Sequence, residues 1–131
     1  MPYIQVEEYL PGITGLLEYS KATAAPLREL TQVLLRGPSM LTEGERELIA
    51  AIVSHRNQCI FCETAHSAAA DILLDEENIA ALVIKDINTA PVSEKMKALL
   101  TIATQVQRGG KSVTKKSIQS ADCFDFFWFQ G

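Results

Sequence analysis

The sequence predicts an all-α protein. Three observations carry that expectation. Apolar residues recur three and four positions apart in one segment after another, helix-starting and helix-stopping residues bracket those segments, and no stretch alternates apolar with polar residues between turn formers. No internal repeat or low-complexity tract interrupts the pattern. With 131 residues the chain has the size of one domain, so residues 1–131 are expected to share a single helical core.

Taken in order, the segment from Pro11 to Tyr19 places Ile13, Leu16 and Leu17 at helical spacing. The next, from Pro26 to Arg36, carries Leu27, Leu30, Val33, Leu34 and Leu35, and Gly37-Pro38 stops it. Thr42 and Glu45 have the spacing of a capping box, in which hydroxyl and carboxylate satisfy the first free backbone N–H groups. A helix is therefore expected from Glu43 to about His55, with Leu48, Ile49, Ile52 and Val53 inward and Glu47 beside that face rather than at its centre. Asn57-Gln58 breaks the pattern.

A new helix then starts near Cys59 and runs through Ala65, Ala68, Ala69, Ala70, Ile72 and Leu73; its alanines permit close approach, which predicts a tight hairpin with the helix before it. Glu76 to Lys85 is the next helix, with Ile79, Leu82 and Val83 inward. Ser93 caps a long one carrying Met96, Leu99, Leu100, Ile102, Ala103 and Val106, which ends at Gly109-Gly110, and Thr114 opens a last short one. Residues 122–131 form an atypical aromatic tail. Five of the nine aromatic residues fall between Phe124 and Phe129, too concentrated for a solvated end, so these rings are expected to pack on their own domain or on a neighbouring subunit.

Composition excludes some partners. The chain is 47% hydrophobic and 21% charged, which marks a globular protein, and its net charge of −4 offers no general attraction to nucleic acid or anionic membrane. The first residues are acidic where a secretory signal is basic, and no apolar run reaches spanning length, so a cytoplasmic location is expected. In a reducing compartment a CxxC pair indicates redox chemistry or metal binding rather than a disulfide framework.

That pair is the chemical signature of the chain. Cys59 and Cys62 stand at the start of a helix, where free N–H groups and the helix dipole stabilise thiolate, and His66 follows Cys62 by one turn on the same face. Glu47 lies on the preceding helix, from which an antiparallel neighbour brings its carboxylate within reach of His66. A carboxylate–imidazole–thiol relay results. One thiolate can take oxygen from a peroxide and the other can condense with the sulfenic acid to a disulfide, which an external dithiol must then reduce.

Other readings compete with this one. Cys59 and Cys62 can be buried packing residues, or they can join His66 as zinc ligands with a fourth from His55, Cys123 or water, although a structural zinc site usually has a second close ligand pair. His55 also reads as a helix C-terminal residue that complements the dipole, and Cys123 as structural or incidental.

The stretch Leu41 to Leu74, with Glu45-Arg46-Glu47 before an apolar helix, then Val53-Ser54, Asn57 and CxxCxxxH, resembles the alkylhydroperoxidase D-like group of the carboxymuconolactone decarboxylase superfamily, in particular its peroxidase-related branch. The resemblance implies an all-helical homo-oligomer that reduces organic hydroperoxides without haem, metal or other cofactor, its dithiol being regenerated by a lipoyl-type or similar partner. Carried over by position, it implies Cys62 as the attacking thiol, Cys59 as its disulfide partner, and Glu47 with His66 as the proton relay. The best-understood member has a second histidine just before the latter cysteine, where this chain has Phe61. Relatives usually continue past the Lys115–Ile118 region into a further helical segment, where this chain turns to Asp122-Cys123-Phe124. Decarboxylases of the superfamily act on a lactone acid without a redox dithiol, so the CxxC favours the peroxidase side. A non-catalytic helical protein that keeps the motif for packing or zinc is the remaining alternative.

Overall fold

A computed structural model of the chain describes residues 3–123. These residues hold seven α-helices and one 3-10 turn, with no strand among them. They fall into two compact units that divide after Met40. The aromatic run expected to pack, Phe124 to Phe129, lies outside the described residues.

The first unit is a pair of helices, α1 (Ile13–Tyr19) and α2 (Lys21–Arg36). The sequence pattern starts the second helix at Pro26, whereas the structure starts it five residues earlier and keeps Pro26 inside. The backbone carbonyl of Ser20 accepts from the amides of Thr23 and Ala24, which nucleates the earlier turn. Pro26 stands in the second turn, past the free N–H groups of the helix start, so it removes one intrahelical bond, to the Ala22 carbonyl. Arg28 forms an ion pair with Glu18 that joins the two helices and holds the Glu18 carboxyl below its usual range.

The second unit contains the hydrophobic core. Its helices are α3 (Glu43–Arg56), α4 (Ile60–Leu74), α5 (Ile79–Lys85), α6 (Glu94–Arg108) and α7 (Lys115–Asp122). Leu48, Ile52, Val83 and Leu100 are fully buried at its centre. Thr42 and Glu45 form the capping box that the spacing predicts, and Ser93 and Thr114 cap α6 and α7. The start of α5 differs from expectation. Asp71 of α4 accepts from the amides of Asn78 and Ala80, so the chain turns through Asp75 and Asn78, both at positive φ, and the helix begins at Ile79 instead of Glu76.

The α3–α4 hairpin positions the dithiol, and these two helices pack on each other more extensively than any other pair. Gly44 makes the close approach possible: a Cβ there would stand 2.5 Å from Leu74 Cγ. The first turn of α3 therefore lies against the last turn of α4, which brings the other ends of both helices together at residues 56–60.

Candidate functional site

The connection from α3 to α4 is short and tightly bonded. The amide of Gln58, whose φ is 57°, donates to His55 O, and the amide of Cys59 donates to Ser54 O at 3.1 Å. Gln107 of α6 donates from Nε2 to Asn57 Oδ1 at 2.8 Å and braces the turn from outside. Cys59 is thereby delivered to the N-cap of α4, where its sulfur accepts from the Cys62 amide at 3.3 Å. A sulfur in the N-cap position takes the place of the usual hydroxyl or carboxylate and faces the positive end of the helix dipole.

Cys59 and Cys62 are joined as a disulfide, with their Cα atoms 5.3 Å apart. Both are half-buried, while the flanking Ile60 and Phe61 are 80% and 46% exposed and give the dithiol an apolar rim. Cys123, the third cysteine, is free and exposed.

Glu47 and His66 meet across the hairpin. Glu47 Oε2 lies 2.6 Å from His66 Nδ1. The Glu47 side chain is 2% exposed and that of His66 is 29%, so a buried carboxylate anchors a ring that still reaches solvent. With the carboxylate ionised, the ring donates from Nδ1–H and its Nε2 is left to exchange a proton. Glu47 therefore corrects the sequence reading on one point: it sits inside the core rather than beside it. The reason is the closeness of α4, which covers the acidic side of α3 and supplies the partner a buried carboxylate needs.

A second histidine–carboxylate pair stands at the same end of the hairpin. His55, in the last turn of α3, lies with Nδ1 3.0 Å from Oε2 of Glu63, in the first turn of α4. Both side chains are partly exposed. From sequence, His55 is expected to complement the helix dipole or to serve as a fourth zinc ligand, and Glu63 has no expected role. The signal was the eight-residue interval across a predicted tight hairpin, which sets a last-turn base opposite a first-turn acid. Among the described residues no three His, Cys, Asp or Glu side chains cluster so as to hold a metal ion. None of the described helices is long and apolar enough to cross a membrane.

Two solved structures share the fold: the alkylhydroperoxidase AhpD core of an uncharacterized peroxidase-related protein from Ralstonia eutropha JMP134, with a TM-score of 0.80 and 24% identity, and an uncharacterized peroxidase-related protein from Silicibacter sp. TM1040, with a TM-score of 0.78 and 22% identity. The matches cover 91% and 87% of this chain but 63% and 61% of those proteins, so the chain spans about three fifths of their length. No curated protein matches the sequence. The profile of the carboxymuconolactone decarboxylase family matches residues 21–105, which run from the start of α2 almost to the end of α6 and take in the whole α3–α4 hairpin with its dithiol; the chain belongs to that family.

Proposed function

We propose that this protein is a thiol-dependent peroxidase that reduces organic hydroperoxides through a Cys59–Cys62 dithiol/disulfide cycle. The observation that carries the reading is the 2.6 Å bond between buried Glu47 and His66, one helical turn beyond Cys62. Cys62, in the first turn of α4, is the nucleophile. Its thiolate attacks the outer peroxide oxygen, the O–O bond breaks, and the departing alkoxide takes a proton from His66 while Glu47 stabilises the charged ring. The resulting sulfenic acid condenses with the Cys59 thiol, forming the disulfide and releasing water. An external dithiol, of lipoyl or similar type, then gives two electrons and two protons and becomes a disulfide itself.

The apolar rim of Ile60 and Phe61 favours an organic hydroperoxide over a charged substrate. A homo-oligomer belongs to the same reading. Leu27, Leu30, Val33 and Leu34 on α2 and Ile72 on α4 are each more than half exposed, and such apolar faces are the usual material of subunit contacts.

The test is peptide mass mapping of the reduced protein before and after a small excess of cumene hydroperoxide, following Cys59, Cys62 and Cys123 separately. Rapid formation of a Cys59–Cys62 disulfide is expected. Cys62→Ser should abolish peroxide consumption, because a serine hydroxyl does not ionise near neutral pH. Turnover that survives that substitution sinks the assignment.

A further inference from the structure

The mechanism above makes no use of the His55–Glu63 pair, although it spans the turn that carries both cysteines. Glu63 directly follows Cys62 and is the acidic residue of the first turn of α4. A carboxylate is welcome at a helix N-terminus, but here it occupies the same positive end that must stabilise a thiolate, and two like charges there oppose each other. The Glu63 side chain is 31% exposed, so solvent screens part of that repulsion without removing it. His55 Nδ1, 3.0 Å from Oε2, sets against the carboxylate an imidazole that is a cation when protonated.

Arg56 is exposed at the end of α3, and His66 is engaged by Glu47. The last turn of α6 meets the connection through the uncharged Gln107, with exposed Arg108 next in sequence. The charged residue of α5 is Lys85, in its last turn.

We propose that His55 is a positioning residue for the dithiol: by pairing with Glu63 it neutralises the carboxylate beside Cys62 and so sets how readily the disulfide opens to a thiolate. This rests on the redox reading of Cys59 and Cys62 proposed above. In the step concerned, an external dithiol breaks the Cys59–Cys62 bond and forms its own disulfide, giving two electrons. One of its protons goes to Cys59, the other to solvent, and Cys62 leaves as thiolate. Stabilising that thiolate makes the disulfide more oxidising.

The measurement is the equilibrium of the full chain with dithiothreitol at pH 7, quantified by alkylating free thiols and mapping the peptides. His55→Gln should lower the constant for disulfide reduction on the order of threefold to tenfold, the size of a single screened charge contact, and tenfold corresponds to about 30 mV. His55→Lys should restore at least the wild-type value by placing a cation beside Glu63. In a Glu63→Gln background, His55→Gln should change the constant less than about twofold, because the charge to be neutralised is gone.

An equal effect of His55→Gln with and without Glu63, or none in either, overturns the inference. Should His55→Gln not fold, the Lys and Glu63→Gln proteins decide: the inference requires at least wild-type opening in the first and equal or easier opening in the second, and a harder opening in either overturns it. The readout uses no peroxide. A dithiol that shows this coupling but ignores hydroperoxide overturns the peroxidase reading alone, whereas one that reacts with hydroperoxide and lacks the coupling overturns the inference alone.

Discussion

A carboxylate with 2% of its side chain exposed, as in Glu47, requires strong partners, and the 2.6 Å contact to His66 Nδ1 supplies one with charge assistance. His66→Ala should therefore cost stability as well as activity. A lost hydrogen bond to a charged group is worth about 2 kcal/mol, read as a lower urea midpoint at unchanged slope. If the ring relays the proton to the alkoxide, hydroperoxide consumption should fall on the order of 10²-fold or more in the same variant. An unaltered midpoint would mean that the carboxylate does not depend on His66, and unaltered turnover would remove the ring from the relay. The pairing of Cys59 with Cys62 and of Glu47 with His66 was legible in the sequence, because local spacing and one hairpin suffice to bring each pair together. The depth of Glu47 was not, since Glu45-Arg46-Glu47 has the composition of a solvated helix face and its burial is decided by the distance of a second helix. The His55–Glu63 pair escaped for the same reason: each residue suits its own helix end, and only the turn geometry reveals the contact.

Among the elements, α3 and α4 show how one small residue sets a helix spacing. Gly44 lies in the first turn of α3, where alanine would raise helix propensity by roughly 1 kcal/mol, yet its Cβ would lie 2.5 Å from Leu74 Cγ and 3.3 Å from the backbone carbon of Leu73. Overpacking of that kind costs about 1–3 kcal/mol, so Gly44→Ala should be net destabilising in chemical denaturation. In a Leu74→Ala background the contact with the Leu74 side chain is gone and the 3.3 Å contact with the Leu73 backbone remains, so the loss from the same substitution should shrink, whereas a loss of equal size in both backgrounds would rule out the Leu74 contact as its cause. Element existence was well anticipated from capping signals such as Thr42–Glu45 and Ser93. Element boundaries failed where a distant group intervened: Asp71 captures the amides of Asn78 and Ala80 and delays α5, and the Ser20 carbonyl starts α2 ahead of Pro26.

For the molecule as a whole, buried residues are distributed unevenly between the two units. Every member of the hydrophobic core cluster, from Leu41 to Ala121, belongs to the second unit. The described residues of the first unit contribute only Gly15 and Ala24 as buried positions, while Ile13, Leu16, Leu27, Leu30 and Val33 remain more than half exposed. Isolated helices of seven and 16 residues have little to hold them in water, since most helical stability comes from a buried apolar face. A chain beginning at Leu41 should therefore keep a cooperative thermal transition and a dithiol that closes between Cys59 and Cys62, whereas a peptide of residues 1–40 should have weak helical circular dichroism at micromolar concentration. The residues of the core cluster all lie at or after Leu41, whereas the family profile begins at residue 21, so the two chains test the second unit by itself. If the shorter chain melts without cooperativity, the second unit depends on α1 and α2 for more than its core shows. If the full chain associates in solution and the shorter one melts cooperatively but stays monomeric, the exposed apolar residues of α2 carry that association, and the dithiol and the contact surface lie on separate parts of the chain.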